Sequence, residues 1–479
     1  MSTYSAPYLW IDGERILDGR ATRPVVDPST GEKIAELPCA NSDDLERALQ
    51  SSQRAFEIWR NTPALDRSRI LNAAALRLRQ QQAEIARTIV MEQGKPLAEA
   101  MGEAGGLADL FEWYAGEARR IYGRTIAPRF KSNRQIVSPE PIGPVAAFSP
   151  WNFPVVTAGR KIATCLAAGC TCIIKPPENT PASPLMIAAA LQEAGLPAGA
   201  LNVVYGDPEA ISRALILSPI VRKITLTGST VVGRKLSMLA AQGPKPAVME
   251  LGGHAPVIVG ADADVVRAAK LGAGARFRNA GQVCIAPARF YVHESIKRQF
   301  VDAFVAAAKE VKIGNGFEPG VSMGPLATPR GVESTEALIK DAVANGARLA
   351  FGGKRIGNKG FFFEPSVLTD VSNDARIMNE EPFGPVAVVN SFQTTDEVVK
   401  SANRLPYGLA SYVFGNQHSF IDDVADRIEA GIVGVNHFAV SLPETPIGGV
   451  KESGYGYEGG AEGIDAFLVR KFISYGASS

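Results

Sequence analysis

Residues 144–175 have the sequence PVAAFSPWNFPVVTAGRKIATCLAAGCTCIIK, and the pattern of this segment indicates the fold class. Two short apolar runs, VAAF at 145–148 and CIIK at 172–175, enclose a segment whose apolar residues recur at helical spacing. The alternation continues through NVVY at 202–205 and KITLTG at 223–228. Apolar runs that alternate with amphipathic helices are typical of βαβ units on a parallel sheet. The sequence therefore predicts an α/β protein.

The regions on either side of this stretch carry two further patterns. Apolar residues recur at helical spacing over 43–59 and 65–90, with Ser42 as a predicted helix start. A second alternation of apolar runs and helices extends over 256–387. We therefore expect a helical first part and a change of domain near Glu250.

Two segments alternate apolar and polar residues as strands do, namely 125–139 and 466–479. Neither has an obvious sheet to join in its own part of the chain. Strands with unpaired edges are commonly covered by another chain. We therefore expect both segments to be arms that pair with a partner subunit, in a homodimer or a homotetramer.

The composition of the 479 residues is that of an ordinary globular protein, with 46% hydrophobic and 21% charged residues. Because 50 Lys and Arg balance 49 Asp and Glu, we expect neither a nucleic-acid nor a membrane partner. The most apolar stretch is interrupted by Arg160 and Lys161 and predicts no membrane span. The first fifteen residues lack a secretory pattern, which predicts a cytoplasmic protein.

The five cysteines are too few and too unevenly spaced for a disulfide framework in a chain of this length. Cys165, Cys170 and Cys172 lie in an apolar run and are predicted to be thiols of the core. The four histidines are scattered without a ligand spacing, so no metal is expected. Nucleophilic chemistry must therefore depend on other groups.

Two strand ends in the first alternating region suit a nucleotide. The turn TLTGST at 225–230 leads from a strand into a helix, whose first N–H groups attract phosphate, but plain helix capping by Ser229 fits equally. CIIK ends in Lys175, three residues before Glu178, where a lysine and a carboxylate suit ribose hydroxyls. An ion pair on the surface is the alternative.

Seven ordered segments together resemble the aldehyde dehydrogenase superfamily, and the resemblance extends over nearly the whole chain. The segments are SPWNFP (149–154), KPPENTP (175–181), TLTGST (225–230), MELGGHAP (249–256), FRNAGQVC (277–284), EEPFGP (380–385) and PIGGVKESGYG (446–456).

The resemblance implies an aldehyde dehydrogenase-like α/β fold with three parts. These are a Rossmann-type NAD-binding domain at 1–124 and 143–250, an α/β catalytic domain at 251–445, and a small β oligomerisation domain made of arms at 125–142 and 446–479.

The resemblance also assigns the catalytic residues. Cys284 matches the nucleophile, since a thiolate adds readily to an aldehyde and leaves cleanly from a thioester, although a lone cysteine is usually a buried core thiol. Asn152 and the backbone N–H of Cys284 match the donors to the oxyanion. Glu250 matches the base for the hydrolytic water, and its presence favours release of a free acid over transfer to coenzyme A. Glu458 matches a proton relay of some relatives, or is a solvated surface carboxylate.

For the cofactor, Glu178 favours NAD over NADP, because a carboxylate accepts hydrogen bonds from ribose hydroxyls and repels a 2′-phosphate. NADP stays possible, since some relatives with a comparable residue use both. The positions that match cofactor-binding residues of the family are Trp151, Lys175, Glu178, Gly228, Ser229, Glu381 and Phe383.

Within the superfamily the chain is most similar to the succinate semialdehyde and α-ketoglutaric semialdehyde dehydrogenases. Arg160, Arg278 and Ser441 match a clamp for the carboxylate at the far end of the substrate. The alternative for each arginine is a surface position or a helix ion pair. Succinate semialdehyde is thus the expected substrate.

Several alternatives stay open. Some succinate semialdehyde enzymes have a second cysteine two residues after the nucleophile, where this chain has Ala286, so a disulfide switch is not expected. The loop with His437 and Phe438 differs from the usual one, which leaves α-ketoglutaric or glutarate semialdehyde as substrates. A broad-specificity dehydrogenase for uncharged aldehydes and a non-catalytic protein on the same fold are further alternatives.

Overall fold

The computed structural model describes residues 4–476. The α-helices of this part are α1 (Ser42–Trp59), α2 (Ala64–Gln80), α3 (Gln82–Gln93), α4 (Leu97–Glu117), α5 (Pro154–Ala168), α6 (Ala182–Glu193), α7 (Pro208–Leu217), α8 (Thr230–Ala241), α9 (Val265–Phe277), α10 (Lys297–Lys309), α11 (Pro329–Ala344), α12 (Thr395–Asn403), α13 (His418–Arg427) and α14 (Glu462–Asp465).

The strands of the same part are β1 (Leu9–Ile11), β2 (Glu14–Ile16), β3 (Thr22–Val26), β4 (Lys33–Pro38), β5 (Arg124–Ile126), β6 (Arg134–Pro141), β7 (Val145–Phe148), β8 (Cys172–Lys175), β9 (Leu201–Val203), β10 (Lys223–Thr227), β11 (Ala247–Glu250), β12 (Ala255–Val259), β13 (Pro287–His293), β14 (Arg348–Phe351), β15 (Ser366–Thr369), β16 (Val386–Phe392), β17 (Tyr407–Gly408), β18 (Ala410–Phe414), β19 (Ile432–Val435), β20 (Val450–Lys451), β21 (Gly454–Tyr455) and β22 (Leu468–Tyr475).

The first sheet has the strand order β2-β1-β9-β8-β7-β10-β11-β21. Its strands β9, β8, β7, β10 and β11 run parallel, and the outer strands are antiparallel. The residues of β7 and β8 are buried throughout, as expected of parallel strands that are covered on both faces. Because the carboxyl ends of parallel strands meet at one edge, the loops after β7, β8, β10 and β11 lie side by side.

The second sheet has the order β14-β15-β16-β13-β12-β18-β19 and is parallel except for β14. A separate hydrophobic core packs around it, built largely from α9, α10 and the strands themselves. The predicted α/β fold, with strands and helices in alternation from residue 144, is confirmed.

The two segments expected to be arms pair with each other. Strand β22 runs antiparallel to β6 along its whole length, from Leu468 opposite Pro141 to Tyr475 opposite Arg134, and β5 covers the other edge of β6. Residues 477–479 of the second segment lie outside the described part. The antiparallel partners thus come from sequence positions more than three hundred residues apart.

Two local details differ from the expectations, and a third completes one of them. Helix α1 begins at the predicted Ser42 and is capped by Asn41. The Asn41 side chain accepts from the N–H of Asp44, and the Asp44 carboxylate accepts from the N–H of Asn41. The helix expected over 65–90 is broken at Gln81 into α2 and α3. Strand β21 of the expected second arm pairs instead with β11 in the first sheet.

No helix within residues 4–476 is both long and apolar enough to cross a membrane. Cys165, Cys170 and Cys172 are fully buried in the core of the first sheet.

Candidate active site

A cavity of about 470 Å³ lies where the loops of the two sheets face each other. Asn152 and Glu250 reach it from the carboxyl ends of β7 and β11, and Cys284 reaches it from the loop after α9. The predicted site residues that line the cavity are Trp151, Asn152, Arg160, Gly228, Ser229, Glu250, Arg278, Cys284, Glu381, Phe383, Ser441 and Glu458.

The loop that leads to Cys284 contains three consecutive residues in the left-handed backbone conformation. Residues 279–281 have φ angles of 50°, 52° and 73°, and a left-handed conformation costs about 1–2 kcal/mol for a residue that has a Cβ. The buried guanidinium of Arg276 holds the turn, since it donates to the carbonyls of Gly281 (3.2 Å) and Pro382 (2.8 Å). Cys284 is thereby fixed relative to the loop that faces it.

The buried carboxamide of Asn152 is positioned through both its side chain and its backbone. Its Nδ2 donates to the carbonyl of Gln282 at 2.9 Å. Its own carbonyl accepts from Lys95 Nζ (2.8 Å) and from Asn279 Nδ2 (2.9 Å). An amide nitrogen has two N–H groups, so one is left for an oxyanion formed beside Cys284.

Lys95 and Glu103 form a buried ion pair that the sequence patterns do not predict. The Nζ–Oε2 distance is 2.7 Å, and both side chains are almost entirely inaccessible. Glu103 Oε1 also accepts from the N–H of Val155 (3.1 Å) at the start of α5, while Lys95 holds the Asn152 carbonyl. Burial lowers the pKa of Lys95, and Glu103 opposes the shift. A glutamate on the buried face of α4, beside Ala100, was the available signal.

Glu250 ends β11 and is buried, and its Oε1 has no hydrogen-bond partner in the described residues. Burial, and then the neighbouring Glu458 carboxylate, raise the pKa of Glu250 well above its ordinary value, while Lys161 and Arg160 oppose the shift. A carboxylate with a raised pKa is a stronger base than a solvated one. Glu250, when ionised, therefore has the raised basicity that suits a general base.

Glu458 is only 6% exposed, so it is not a solvated surface carboxylate. It accepts hydrogen bonds from Lys161 Nζ and from Thr225 Oγ1 (2.9 Å), and Lys161 also donates to Thr225 (3.1 Å). Lys161 and Thr225 were not predicted. A lysine in the apolar run of α5 was the signal for the first, because a buried lysine requires a charged partner.

The Cys284 thiol is partly exposed to the cavity. Burial, and then the carboxylates of Glu381 and Glu250, raise its pKa to about 12, while Arg160 lowers it. The thiol is therefore protonated at neutral pH in the free protein. Attack on an aldehyde requires that a neighbouring base take the proton.

Three of the predicted cofactor residues form one wall of the cavity. The rings of Trp151 and Phe383 meet edge to face, with their centroids 5.5 Å apart. Glu381 Oε1 accepts from the N–H of Gly253 at 3.1 Å. Burial raises the pKa of Glu381 to about 7, against the effects of the Gly253 hydrogen bond and of Arg276.

The remaining cofactor residues lie along the carboxyl edge of the first sheet. Ser229 is the N-cap of α8, and its hydroxyl accepts from the N–H of Val232 at 3.4 Å. Lys175 and Glu178 form an ion pair of 2.6 Å beyond the end of β8, outside the lining of the cavity. Both Ser229 and the ion pair thus stand at strand ends, where nucleotides bind in open α/β sheets.

Two arginines line the cavity. Arg160 is 8% exposed and donates from Nη2 to Ser441 Oγ at 3.4 Å, but its buried Nε has no partner in the described residues. Arg278 is exposed, with its guanidinium carbon 5.2 Å from the ring centroid of Phe153. Within residues 4–476, Arg278 forms no ion pair and no side-chain hydrogen bond. Both arginines therefore retain free N–H donors.

The sequence profile described as "Aldehyde dehydrogenase family" matches residues 16–473, almost the whole chain. The chain belongs to the aldehyde dehydrogenase family. It is therefore an oxidoreductase that acts on aldehydes, and the family uses NAD or NADP.

Its relatives include dehydrogenases of anionic compounds. A putative 4-(hydroxymethyl)benzenesulfonate dehydrogenase of Comamonas testosteroni is 47% identical, covering 99% of this chain and 100% of that protein. A 3-sulfolactaldehyde dehydrogenase of Pseudomonas putida is 41% identical, and the match covers 98% of this chain and 96% of that protein. The crystal structure of a succinate-semialdehyde dehydrogenase from Burkholderia pseudomallei matches with a TM-score of 0.96 at 40% identity, covering 99% and 98% of the two chains.

Proposed function

We propose that this aldehyde dehydrogenase oxidises a small aldehyde with an anionic group at its far end, with succinate semialdehyde as the first candidate. The observation that carries the proposal is the pair of arginines that line the cavity without a carboxylate partner in the described residues. Arg160 is buried there with an unpartnered Nε, and Arg278 has no carboxylate partner in the described residues. A buried donor without a partner is costly, and a bound anion removes that cost.

The first step joins the Cys284 sulfur to the aldehyde carbon. The thiol proton passes to a base, the sulfur–carbon bond forms, and the carbonyl electrons move to the oxygen. Asn152 Nδ2 and the Cys284 N–H donate to that oxygen. When bound, the oxidised nicotinamide accepts a hydride from the substrate carbon. The enzyme's own contribution is to hold the adduct with that carbon toward the wall formed by Trp151 and Phe383.

The second step hydrolyses the thioester left on Cys284. Glu250 takes a proton from a water molecule, the water oxygen bonds to the acyl carbon, and the sulfur–carbon bond breaks to release the carboxylic acid. Glu458 and Lys161 form a buried polar pair next to Glu250 that suits the onward transfer of that proton. The raised pKa of Glu250 supports its role as the base.

The test is formation of reduced cofactor over a panel of four- to six-carbon aldehydes, with and without a terminal carboxylate, with Cys284→Ala as the blank. We expect kcat/KM to be higher for succinate semialdehyde than for butyraldehyde. An active blank would contradict the assignment of the nucleophile. Equal kcat/KM values for the charged and uncharged members would contradict the anion site and favour a broad-specificity enzyme.

A sulfonated aldehyde is the second candidate. The relatives from Comamonas testosteroni and Pseudomonas putida are named for sulfonated compounds. A sulfonate has three acceptor oxygens, and Arg160, Arg278 and Ser441 together offer more donors than the two oxygens of a carboxylate require. Adding 3-sulfolactaldehyde and glutarate semialdehyde to the panel ranks these substrates against succinate semialdehyde.

We propose NAD as the preferred cofactor. Glu178 stands beyond β8 in an ion pair with Lys175, and its Oε1 lies 3.4 Å from the N–H of Gly206. A carboxylate held in this way accepts hydrogen bonds from ribose hydroxyls and repels a 2′-phosphate. The ratio of kcat/KM with NAD to that with NADP measures the preference.

We also propose the three domains that the resemblance implies. In this division the sheet of β22, β6 and β5 belongs to the oligomerisation domain and pairs with a partner subunit. One edge of β22 has no neighbouring strand in the described part, and the strand exposes Val469, Phe472 and Tyr475. Exposed edge strands with apolar side chains are usually covered. Phe472→Glu is expected to lower the molecular mass seen by light scattering, and an unchanged mass would contradict the assignment.

A further inference from the structure

The position of Arg278 needs an explanation. Arg278 is exposed and forms no ion pair in the described residues. Glu99 lies within electrostatic reach, but both of its oxygens accept from the N–H of Asn279, at 3.0 and 3.3 Å. What contacts the guanidinium is the ring of Phe153.

The Phe153 ring carries two cations. Lys95 Nζ lies 3.9 Å from its centroid and the guanidinium carbon of Arg278 lies 5.2 Å from it. Two bare cations at one ring would repel each other. Lys95 is paired with Glu103 at 2.7 Å, so that its charge is compensated inside the protein. The ring is therefore free to attract the guanidinium through its quadrupole.

A ring face and a carboxylate hold an arginine in different ways. A carboxylate accepts from the N–H groups and neutralises the charge, whereas an aromatic face stacks against the guanidinium and uses none of its donors. Held by Phe153, Arg278 keeps its positive charge and its five N–H groups for an incoming anion.

We propose that Phe153 is a positioning residue for Arg278 and thereby a determinant of the preference for anionic aldehydes. The inference rests on the proposed function, since it supposes that Arg278 binds the anionic end of the substrate. Phe153 itself lines the same cavity as Asn152 and the two arginines. Its ring lies near Lys95, which pairs with Glu103 and donates to the carbonyl of Asn152. The same ring lies near Arg278, the residue proposed to select the substrate.

The test measures a selectivity ratio, which is kcat/KM for succinate semialdehyde divided by kcat/KM for butyraldehyde. Phe153→Leu removes the ring and keeps an apolar side chain, and we expect the ratio to fall about 3- to 10-fold. Phe153→Tyr keeps the ring, and its ratio should stay within about twofold of the wild type. Butyraldehyde turnover in each variant shows that the protein is folded.

Arg278→Met separates failure of this inference from failure of the proposed function. If Arg278→Met leaves the ratio unchanged, the anion site itself is wrong. If Arg278→Met lowers the ratio while Phe153→Leu leaves it unchanged, or Phe153→Tyr lowers it as much as Phe153→Leu does, Phe153 is not the positioning residue. Because Phe153 acts through Arg278, the double variant should have the same ratio as Arg278→Met alone, and an additive effect would overturn the inference.

Discussion

Two sets of side chains that line the cavity are built differently. The set proposed to react is Asn152, Glu250 and Cys284, here called the reaction end, and the set proposed to bind the anion is Arg160, Arg278 and Ser441, here called the anion end. At the reaction end, Asn152 and Glu250 are buried, and Cys284 follows a turn that buried side chains hold. At the anion end, Arg160 is buried, whereas Arg278 and Ser441 are exposed and make few contacts. On the proposed roles, the reacting groups are held by the folded core, and the choice of substrate depends on one buried arginine together with two side chains at the margin of the cavity.

This difference separates the expected kinetic effects. A change at the reaction end should lower kcat for every aldehyde alike, because the same atoms react in each. A change at the anion end should act on kcat/KM for charged aldehydes and spare uncharged ones. Substitutions at each end should show whether the two kinds of effect are separate.

Glu250→Gln should separate the two halves of the reaction. We expect the steady-state kcat to fall about 10²- to 10³-fold for charged and uncharged aldehydes, because the hydrolytic water loses its base. A burst of reduced cofactor close to one equivalent per site should remain, since the thioester still forms. Glu209→Gln, at an exposed position, is the control. Loss of the burst would show that Glu250 acts before the thioester.

Lys95→Met tests whether the buried scaffold serves the reaction end. Removing one partner of a buried ion pair costs about 3–5 kcal/mol, and displacement of Asn152 should lower kcat about 10- to 100-fold for both aldehydes. The double variant Lys95→Met/Glu103→Leu should recover part of the thermal stability but not the activity. Lys340→Met is the surface control. A loss confined to succinate semialdehyde would place Lys95 at the anion end instead.

The reactivity of Cys284 should depend on its carboxylate neighbours. Because Glu381 and Glu250 raise the pKa of the thiol, Glu381→Gln should lower that pKa and increase the thiolate fraction at pH 8. We expect alkylation by iodoacetamide in the cofactor-free enzyme to become about 3-fold faster, with a smaller gain for Glu250→Gln. At pH 5 the gain should shrink, since Glu381, with a pKa of about 7, is then protonated. Slower alkylation of the Glu381→Gln variant at pH 8 would contradict the inference that Glu381 raises the pKa of the Cys284 thiol.

Glu178→Gln should have the smallest effect. Without the carboxylate, repulsion of a 2′-phosphate is lost, and the ratio of kcat/KM with NAD to that with NADP should fall about 3-fold or more. The selectivity between aldehydes should stay the same, because Glu178 lies outside the lining of the cavity. A change in aldehyde selectivity in Glu178→Gln would contradict the proposal that Glu178 acts only on the choice of cofactor.

The parts of the fold that the sequence predicts are those set by local patterns. VAAF at 145–148 and CIIK at 172–175 are buried on both faces, so each reads as an unbroken apolar run. The ends of such parallel strands meet at one edge, which is why Asn152 and Glu250 come together. The start of α1 at Ser42 was also predicted, whereas its cap, Asn41, depends on the contact with Asp44.

The parts that the sequence did not predict depend on contacts between distant segments. Lys95 acquires its role from the Asn152 carbonyl, and Lys161 from Glu458, which is 297 residues away. The pairing of β21 with β11 likewise joins residues that no periodicity connects. The family resemblance proposes the reacting groups, and the packing shows which neighbours hold those side chains.

The most direct test of the account is the effect of Arg160→Met on kcat/KM for succinate semialdehyde and for butyraldehyde, with the exposed Arg213→Met as control. Loss of a buried cationic partner should lower kcat/KM for the charged aldehyde about 30-fold or more. The value for butyraldehyde should fall much less, because for that substrate Arg160 acts only through the pKa values of Cys284 and Glu250. An equal loss for both aldehydes would contradict the account and make Arg160 a structural residue.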